Sequence, residues 1–435
     1  MGGLKGVLGL PKLALLGGEP VRRLDERPYP KYPSIGNEEI EAVIEVMRSG
    51  NLSSLRGHKV KEFEEAFAKY HGVPYAIAVS SGTTALHLAL AAIGVGPGDE
   101  VIVPAYTFTS TATSVLMQCA IPVFADIDSR TFTIDPEDVE RKVTEHTRAI
   151  IVVHLFGCPA DMDRIKRIAE EYDIAIVEDC AQAHGAMYKG KKVGTIGDAG
   201  CFSFYQSKNM MTGEGGMIIT RDPDIAERVS MLRNHAEIRG LKDYLKRHSP
   251  QEAFNMLGYN YRMTELQAAI GLVQLRKLDR MNEARRRIAS EITKAIREIA
   301  GLEEPYVPDY AYHVFHIYAM KYYEEELGVP RDLFIDALRA EGVPASPGYE
   351  EPLYANPLYR LRLARKLGCP FTCPYYKGRV TYEDGICPVA EEICYRRGLW
   401  LLIHSELSDD DVKDIVEGIR KVVENIDELK RIRQG

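Results

Sequence analysis

The sequence lacks the features of membrane proteins and of nucleic-acid-binding proteins. No stretch reaches the roughly 18 uninterrupted apolar residues that a membrane-spanning helix needs. Gly and Pro interrupt the N-terminal segment MGGLKGVLGLPKLALLGGEP, and no small-residue cleavage site follows it, so it does not read as a signal peptide. Positive charge is not in excess, because 55 Lys and Arg residues face 63 Asp and Glu residues, for a net charge of −8. We therefore expect a cytoplasmic protein without a membrane or nucleic-acid role.

Two further absences narrow the chemistry. No G-x-G-x-x-G turn follows the first strand of the large domain, which argues against a nicotinamide oxidoreductase. Among the eight cysteines, four lie in one C-terminal stretch with spacings unlike those of a zinc ribbon, and they are Cys369, Cys373, Cys387 and Cys394. We expect no metal site, and a disulfide there stays an alternative if the source is a hyperthermophile.

The length and the hydrophobic pattern predict two domains. Between Tyr75 and about Arg233, short β-branched runs alternate with helical patterns, which is typical of a mostly parallel sheet covered by helices. The seven predicted strands are YAIAV, EVIVPA, IPVFADI, AIIVVHL, IAIVED, AGCFSF and GGMIIT. A long helical run then leads to the strand HVFHIYAMKYY and further helices. We predict an N-terminal arm (1–34), a large α/β domain (35–265), and a connecting helix with a small α+β domain (266–435).

A turn of small residues lies between the first strand and the helix that follows it. Its sequence is Ser80-Ser81-Gly82-Thr83-Thr84. Such a turn at a helix N-terminus presents free backbone N–H groups and the positive end of the helix dipole to an anion. The same residues are also typical of an ordinary helix cap. The turn is therefore a candidate phosphate site.

Two charged residues follow later strands. Asp179 ends the strand IAIVED, at the edge where open α/β sheets bind ligands. A buried carboxylate there is costly unless a positive group pairs with it, such as a protonated pyridine nitrogen, although Asp179 could also cap a helix. Lys208 follows the strand AGCFSF, where partial desolvation favours the neutral amine that Schiff-base chemistry needs. The alternative for Lys208 is an exposed loop lysine.

In this order of turn, carboxylate and lysine, the chain resembles the fold-type I enzymes that depend on pyridoxal 5′-phosphate (PLP), and specifically the DegT-like sugar aminotransferases. The resemblance runs from about Ile35 to near the C-terminus, and is carried by SSGTTALHLAL, GDEVIVPAYTFTST, VEDCAQAHGA, FSFYQSKNMMTGEGG and GYNYRMTELQAAIG. It implies a fold-type I α/β structure, PLP as cofactor, amino-group transfer, and a homodimer with the active site at the subunit interface.

The resemblance also implies roles for single residues. Lys208 forms the Schiff base with the cofactor and moves the proton, and Asp179 binds the pyridine nitrogen. Gln182 donates a hydrogen bond to the phenolic oxygen, and Phe108 stacks on the ring. The amino donor is expected to be glutamate or glutamine.

For the phosphate of the cofactor, the resemblance implies four residues. Gly82, Thr83 and Ser203 belong to the same chain, and Asn260 comes from the other subunit. Arg262, two residues after Asn260, could instead reach the phosphate.

The acceptor is expected to be a keto-sugar or keto-cyclitol. The prefix LALLGGEPVRR and the segment CPFTCPYYKGRVTYEDGICPVAEEIC resemble the branch that aminates keto-cyclitols such as scyllo-inosose or makes aminohydroxybenzoate. A nucleotide-linked keto-sugar stays an alternative. The candidates for lining the acceptor side are Tyr349, Tyr354, His313 and His316, although each could simply pack in the small domain.

Two rival functions are disfavoured by the same residues. The related deoxysugar dehydratases replace the Schiff-base lysine with histidine, whereas Lys208 occupies that position here. A regulator that had lost the chemistry should have lost Asp179, Lys208 or the glycine turn, and all three are present.

Overall fold

The computed structural model describes residues 12–237, 242–249 and 256–432. The first eleven residues of the predicted arm lie outside these ranges. None of the helices found within the ranges combines the length and the apolar character that crossing a bilayer requires.

The elements alternate as the sequence pattern predicts. The strands of the described residues are β1 (Tyr75–Val79), β2 (Glu100–Pro104), β3 (Ile121–Ala125), β4 (Thr147–Val153), β5 (Ala175–Asp179), β6 (Met187–Tyr188), β7 (Lys191–Lys192), β8 (Ala199–Ser203), β9 (Gly216–Thr220), β10 (Leu302–Glu303), β11 (Ala311–Tyr312), β12 (Tyr318–Tyr322), β13 (Ala345–Ser346) and β14 (Gly398–Leu401). Their α-helices are α1 (Asn37–Ser49), α2 (Lys59–His71), α3 (Gly82–Ile93), α4 (Ser110–Met117), α5 (Pro136–Lys142), α6 (Met162–Tyr172), α7 (Pro223–Arg233), α8 (Glu265–Ile296), α9 (Glu324–Leu327), α10 (Arg331–Ala340), α11 (Pro357–Arg360), α12 (Pro388–Glu392), α13 (Asp409–Glu424) and α14 (Ile426–Ile432).

A seven-stranded sheet forms the centre of the molecule, in the order β1-β9-β8-β5-β4-β2-β3. The contacts β3 to β2, β2 to β4, β4 to β5 and β5 to β8 are parallel, whereas β9 is antiparallel to both β1 and β8. All seven predicted strands belong to this sheet, which confirms the predicted mostly parallel α/β fold. Because the parallel strands end at one edge, the residues that follow β5 and β8 lie close together.

The small domain is built on a second sheet, in the order β10-β12-β14-β13. Its apolar core lies between this sheet, helices α10 and α13, and the C-terminal half of α8. The strand predicted as HVFHIYAMKYY begins only at Tyr318. The preceding residues instead hydrogen-bond to the turn after β4, from Val314 N to Gly157 O (3.1 Å) and from His316 N to Phe156 O (2.8 Å).

The N-terminal arm crosses the small domain. Leu13 is fully buried in its core, and the Arg22 guanidinium forms ion pairs with Asp411 (2.7 Å) and Asp414 (2.8 Å) of α13. Tyr32 then reaches the edge of the large sheet, where its hydroxyl donates to the main-chain oxygen of Lys208 (2.5 Å).

The cysteine-bearing segment packs against the edge of the large sheet at β3. Tyr382 donates its hydroxyl hydrogen to Pro122 O (2.9 Å), and the Cys387 thiol donates to Phe124 O (3.7 Å). All eight cysteines are free thiols, and Cys387 and Cys394 are fully buried. The domain boundaries at residues 34 and 265 stay predictions.

Candidate active site

A cavity of about 560 Å³ opens where β4, β5 and β8 end. Nine of the residues to which the resemblance assigns a cofactor or substrate role line it, and they are Gly82, Thr83, Phe108, Asp179, Gln182, Ser203, Lys208, His316 and Tyr349. The sheet edge and the small domain thus form two walls of one cavity.

Asp179 is the last residue of β5 and is buried beside the cavity. Thr111 Oγ1 donates to its Oδ2 (3.0 Å), and Ala181 N donates to its Oδ1 (3.1 Å). Burial raises the pKa of Asp179, while these hydrogen bonds and the charge of Lys208 act in the opposite direction. Two donors leave part of the carboxylate's acceptor capacity free for a ligand.

Glu178, one residue earlier, lies on the other face of the sheet because strand side chains alternate. Its carboxylate accepts from His154 Nε2 (2.9 Å) and from the N–H groups of Gly194, Ile196 and Gly197 (2.7 Å each). Burial would raise the pKa of Glu178, but these bonds lower it below its usual value. Glu178 therefore holds the loop between β7 and β8 and has little capacity left for a ligand.

Lys208 lies in the turn between β8 and β9 and is half-buried. Its position is fixed by main-chain hydrogen bonds, because its N–H donates to Tyr205 O (2.9 Å) and its carbonyl accepts from Tyr32. Desolvation lowers the pKa of Lys208 to about 8, although the charge of Asp179 acts to raise it. Near neutral pH a larger share of this amine is free base than in an ordinary lysine.

The turn at the start of α3 has the geometry of an anion site. The Ser81 side chain caps the helix by accepting from Thr84 N (3.1 Å). The N–H groups of Gly82 and Thr83 have no hydrogen-bond partner in the part of the chain that the structure describes. A Cβ on Gly82 would lie 2.6 Å from the Ser203 Cβ, so only glycine lets β8 approach the turn. Gly82, Thr83 and Ser203 are thereby brought together.

Gln182 is oriented by a main-chain group. Phe156 N donates to its Oε1 (2.8 Å), which turns the amide N–H₂ toward Tyr349, whose hydroxyl accepts at 3.3 Å. Gln182 therefore presents donors to the cavity, as binding to a phenolate oxygen requires. Phe108, on the loop after β2, is 56% exposed and lines the same cavity, where a flat ligand could cover it.

The remaining predicted residues are placed differently. His316 lies on the cavity wall, with Nδ1 3.1 Å from Asn209 Oδ1. His313 is outside the cavity, because its ring stacks on Phe315 (4.0 Å between centroids) and its Nδ1 accepts from Phe315 N. Tyr354 is also outside the cavity, because it is buried in the core, where its hydroxyl donates a hydrogen bond to Glu391 Oε1.

Asn260 is exposed and does not line the cavity of its own chain. It forms a β-bridge with Asn234, whose side-chain oxygen accepts from Arg262 Nη1 at 2.5 Å. Neither Asn260 nor Arg262 therefore belongs to the cavity within a single chain.

Sequence reasoning missed several cavity residues of the opposite wall, namely Tyr32, Arg285, Trp400 and His404. None of them follows a strand of the large sheet or belongs to a short motif. A charged residue on the apolar face of α8 was the one available signal, and it concerns Arg285.

The comparison with protein families decides the identity. A model described as the DegT/DnrJ/EryC1/StrS aminotransferase family matches residues 33–420. The chain belongs to this family. The match confirms the predicted family, the fold-type I α/β structure and the aminotransferase class, and the family is PLP-dependent.

Two relatives of the family bear on the substrate. The chain is 40% identical over 424 residues to an L-glutamine:2-deoxy-scyllo-inosose aminotransferase of Streptomyces fradiae, covering 94% of this chain and 97% of the relative. It is 42% identical over 328 residues to a GDP-perosamine synthase of Caulobacter vibrioides, covering 75% of this chain and 85% of the relative.

Two solved structures of similar proteins match nearly the whole chain. An aminotransferase from Psychrobacter cryohalolentis superimposes with a TM-score of 0.80 at 33% identity, covering 92% of this chain and all of that chain. A putative sugar aminotransferase from Streptococcus pneumoniae, solved in its pyridoxamine phosphate (PMP) form, superimposes with a TM-score of 0.78 at 27% identity, covering 93% of this chain and all of that chain.

Proposed function

We propose that the chain is a PLP-dependent aminotransferase that moves an amino group from glutamate or glutamine to a keto-cyclitol resembling scyllo-inosose. The observation that carries the reaction type is one cavity with a lysine of lowered pKa, a buried carboxylate with acceptor capacity to spare, and a turn with free N–H groups. These groups match the aldehyde, the ring nitrogen and the phosphate of PLP.

The cavity residues fit the cofactor one by one. Gly82, Thr83 and Ser203 would hold the phosphate, because free N–H groups at a helix N-terminus favour an anion. Asp179 would keep the ring nitrogen protonated, and Gln182 would donate to the phenolic oxygen. When bound, PLP supplies an electron sink that stabilises negative charge on the substrate carbon.

The chain's own residues then move the proton and exclude water. Lys208, with its pKa near 8, takes a proton from the α-carbon of the donor and returns one to the carbon of the acceptor. Phe108, Tyr349 and Trp400 add aromatic surface to the cavity walls, which would limit water around a bound cofactor. Limiting water in this way favours transfer of the amino group over side reactions.

The acceptor is inferred from the extent of the sequence match. The alignment with the inosose aminotransferase covers 94% of the chain, whereas that with GDP-perosamine synthase covers 75%. A nucleotide-linked keto-sugar is the second candidate, because the perosamine synthase has the slightly higher identity over its shorter alignment.

We also propose a homodimer in which Asn260 of the partner subunit reaches the phosphate. The support is that Asn260 is exposed and outside the cavity of its own chain, so that only a second copy could bring it to a cofactor. Light scattering should give twice the monomer mass; a monomeric enzyme with full activity would contradict the shared site.

Absorbance of the purified holoenzyme tests the function. We expect glutamine or glutamate to bleach the cofactor band in a single turnover, and scyllo-inosose to restore it. If only a nucleotide-linked keto-sugar, or an aromatic precursor as for an aminohydroxybenzoate synthase, restores the band, the acceptor is wrong but the reaction type stands. If neither amino acid bleaches the band, the proposal fails.

A further inference from the structure

Arg285, on helix α8, is a buried cation on the cavity wall. Only 1% of the residue is exposed, yet Arg285 is among the residues that line the cavity. Its hydrogen bonds all come from Nη1, which donates to the carbonyl oxygens of Phe315 (3.3 Å), His316 (3.3 Å) and Ile403 (2.7 Å). Three main-chain contacts at one corner fix the orientation of the planar group.

The opposite edge of the guanidinium has no protein partner. Nε is buried without a hydrogen bond, and Nη2 makes none to any residue that the structure describes. Within the same ranges no carboxylate forms an ion pair with Arg285. The Tyr32 ring lies 5.2 Å from the guanidinium carbon and offers only its face. A buried cation with unmet donors is costly, so the arrangement suits an anion from outside the chain.

The neighbouring titratable groups do not supply that anion. Burial, with the charge of Arg285 adding to it, lowers the pKa of His404 to about 4, and burial and nearby cations lower the pKa of His316 well below its usual range. Both rings are therefore neutral near pH 7. The uncompensated positive charge in this part of the cavity belongs to Arg285.

We propose that the Arg285 guanidinium binds the α-carboxylate of the amino donor through its unpartnered Nη2. The inference rests on the proposed function. The N–H groups of Nη2 can donate charge-assisted hydrogen bonds to a carboxylate. An α-amino acid carries its amine and carboxylate on one carbon, so its anion site must lie near the reactive lysine.

Tyr32 links the two groups. Its hydroxyl donates to the main-chain oxygen of Lys208, and its ring lies beside Arg285. His316 lines the same wall, and the charges of both Lys208 and Arg285 help to lower its pKa. The phosphate of the cofactor has its own donors at Gly82 and Thr83, which leaves Arg285 for the substrate.

The experiment compares donors as well as variants. Glutamate and L-isoglutamine differ only in whether the α-carboxyl is a carboxylate or an amide. The measured quantity is the rate constant divided by the dissociation constant in single-turnover half-reactions of the holoenzyme. We expect this ratio to be about 100-fold higher for glutamate than for L-isoglutamine in the wild type, because the amide loses one buried charge pair. Arg285→Lys and Arg285→Gln should lose most of that preference by slowing glutamate alone. Calorimetry of the apo-protein with 2-oxoglutarate should show a matching loss of affinity.

Arg286→Lys is the matched control. Arg286 adjoins Arg285 but donates to His313 O (2.9 Å), lies over the Tyr312 ring and does not line the cavity. We expect this variant to keep the wild-type preference. If Arg285→Gln does not fold, the test uses Arg285→Lys, because a lysine can still donate to the carbonyl oxygens. The comparison of the two donors in the wild type needs no variant.

The outcomes separate this inference from the function. Equal losses with both donors would assign Arg285 a structural role and overturn the inference, as would a wild type without preference for glutamate, while the proposed function stands. A wild-type enzyme that reacts with no α-amino acid overturns both.

Discussion

Glu178 and Asp179 are consecutive residues at the end of one strand, yet their carboxylates have opposite surroundings. Glu178 accepts four hydrogen bonds and its pKa is lowered, whereas Asp179 accepts two and its pKa is raised. Both are buried, so burial alone does not distinguish a structural acid from a functional one. The unused acceptor capacity does, because a fully bonded carboxylate cannot also bind a ligand.

The largest effect is expected from the lysine that shares the cavity with Asp179. Lys208→Ala should lower the transamination rate by about 10³-fold or more, because no amine remains to move the proton. Since the folded-state pKa of Lys208 is lowered to about 8, its charged form opposes folding below that pH, and the apo variant should melt at the same or a higher temperature. Rate and melting temperature together test this.

Lys191→Ala, at an exposed position on β7, is the control and should leave both quantities unchanged. Full turnover by Lys208→Ala would refute the catalytic role of the lysine.

Asp179→Asn should separate function from stability. We expect the rate to fall by about 10² to 10³-fold, because an amide cannot hold the proton on a ring nitrogen. Since burial raises the pKa of Asp179, its ionised form costs stability above that pKa, and the apo variant should melt no lower than wild type at pH 8. A large drop in melting temperature with little loss of rate would reverse the assignment.

Glu178→Gln should behave in the opposite way. Loss of the charge that accepts four donors should lower the free energy of unfolding by about 3 kcal/mol. The lowered pKa of Glu178 means that its contribution is present above its ordinary value of 4.5 and is lost as the pH falls through the folded-state value. Chemical denaturation at pH 7 and at pH 3.5 measures the free energy of unfolding of wild type and variant. If the two proteins differ in this free energy by the same amount at both pH values, the expectation is contradicted.

The smallest effect is expected on the far wall. Tyr349→Phe keeps the ring that packs against Trp400 but removes the hydroxyl that accepts from Gln182. Loss of this one hydrogen bond should cost about 1 kcal/mol of binding free energy. The KM for the acceptor should rise about fivefold. Tyr354→Phe is the control, since Tyr354 bonds Glu391 away from the cavity and should affect only the melting temperature.

The sheet-edge wall could be predicted from the sequence, whereas the far wall could not. Asp179 ends one buried strand and Lys208 follows another. Because parallel strands end at one edge, the local pattern predicts that these two residues lie close together. Arg285 lies within a 32-residue helix whose pattern reports only an amphipathic face. His313 and His316 flank Phe315, whose φ of 45° turns the chain between them. A phenylalanine rarely adopts such a φ, so the sequence gives no sign of this turn.

The ion pairs of Arg22 have a consequence for biosynthesis. Arg22 is translated long before these partners, because it lies 392 positions before Asp414 in the chain. At about 5 to 20 residues per second, the arm waits on the order of tens of seconds before it can dock. The arm that carries Tyr32 can therefore complete these ion pairs with the small domain only after α13 has been made.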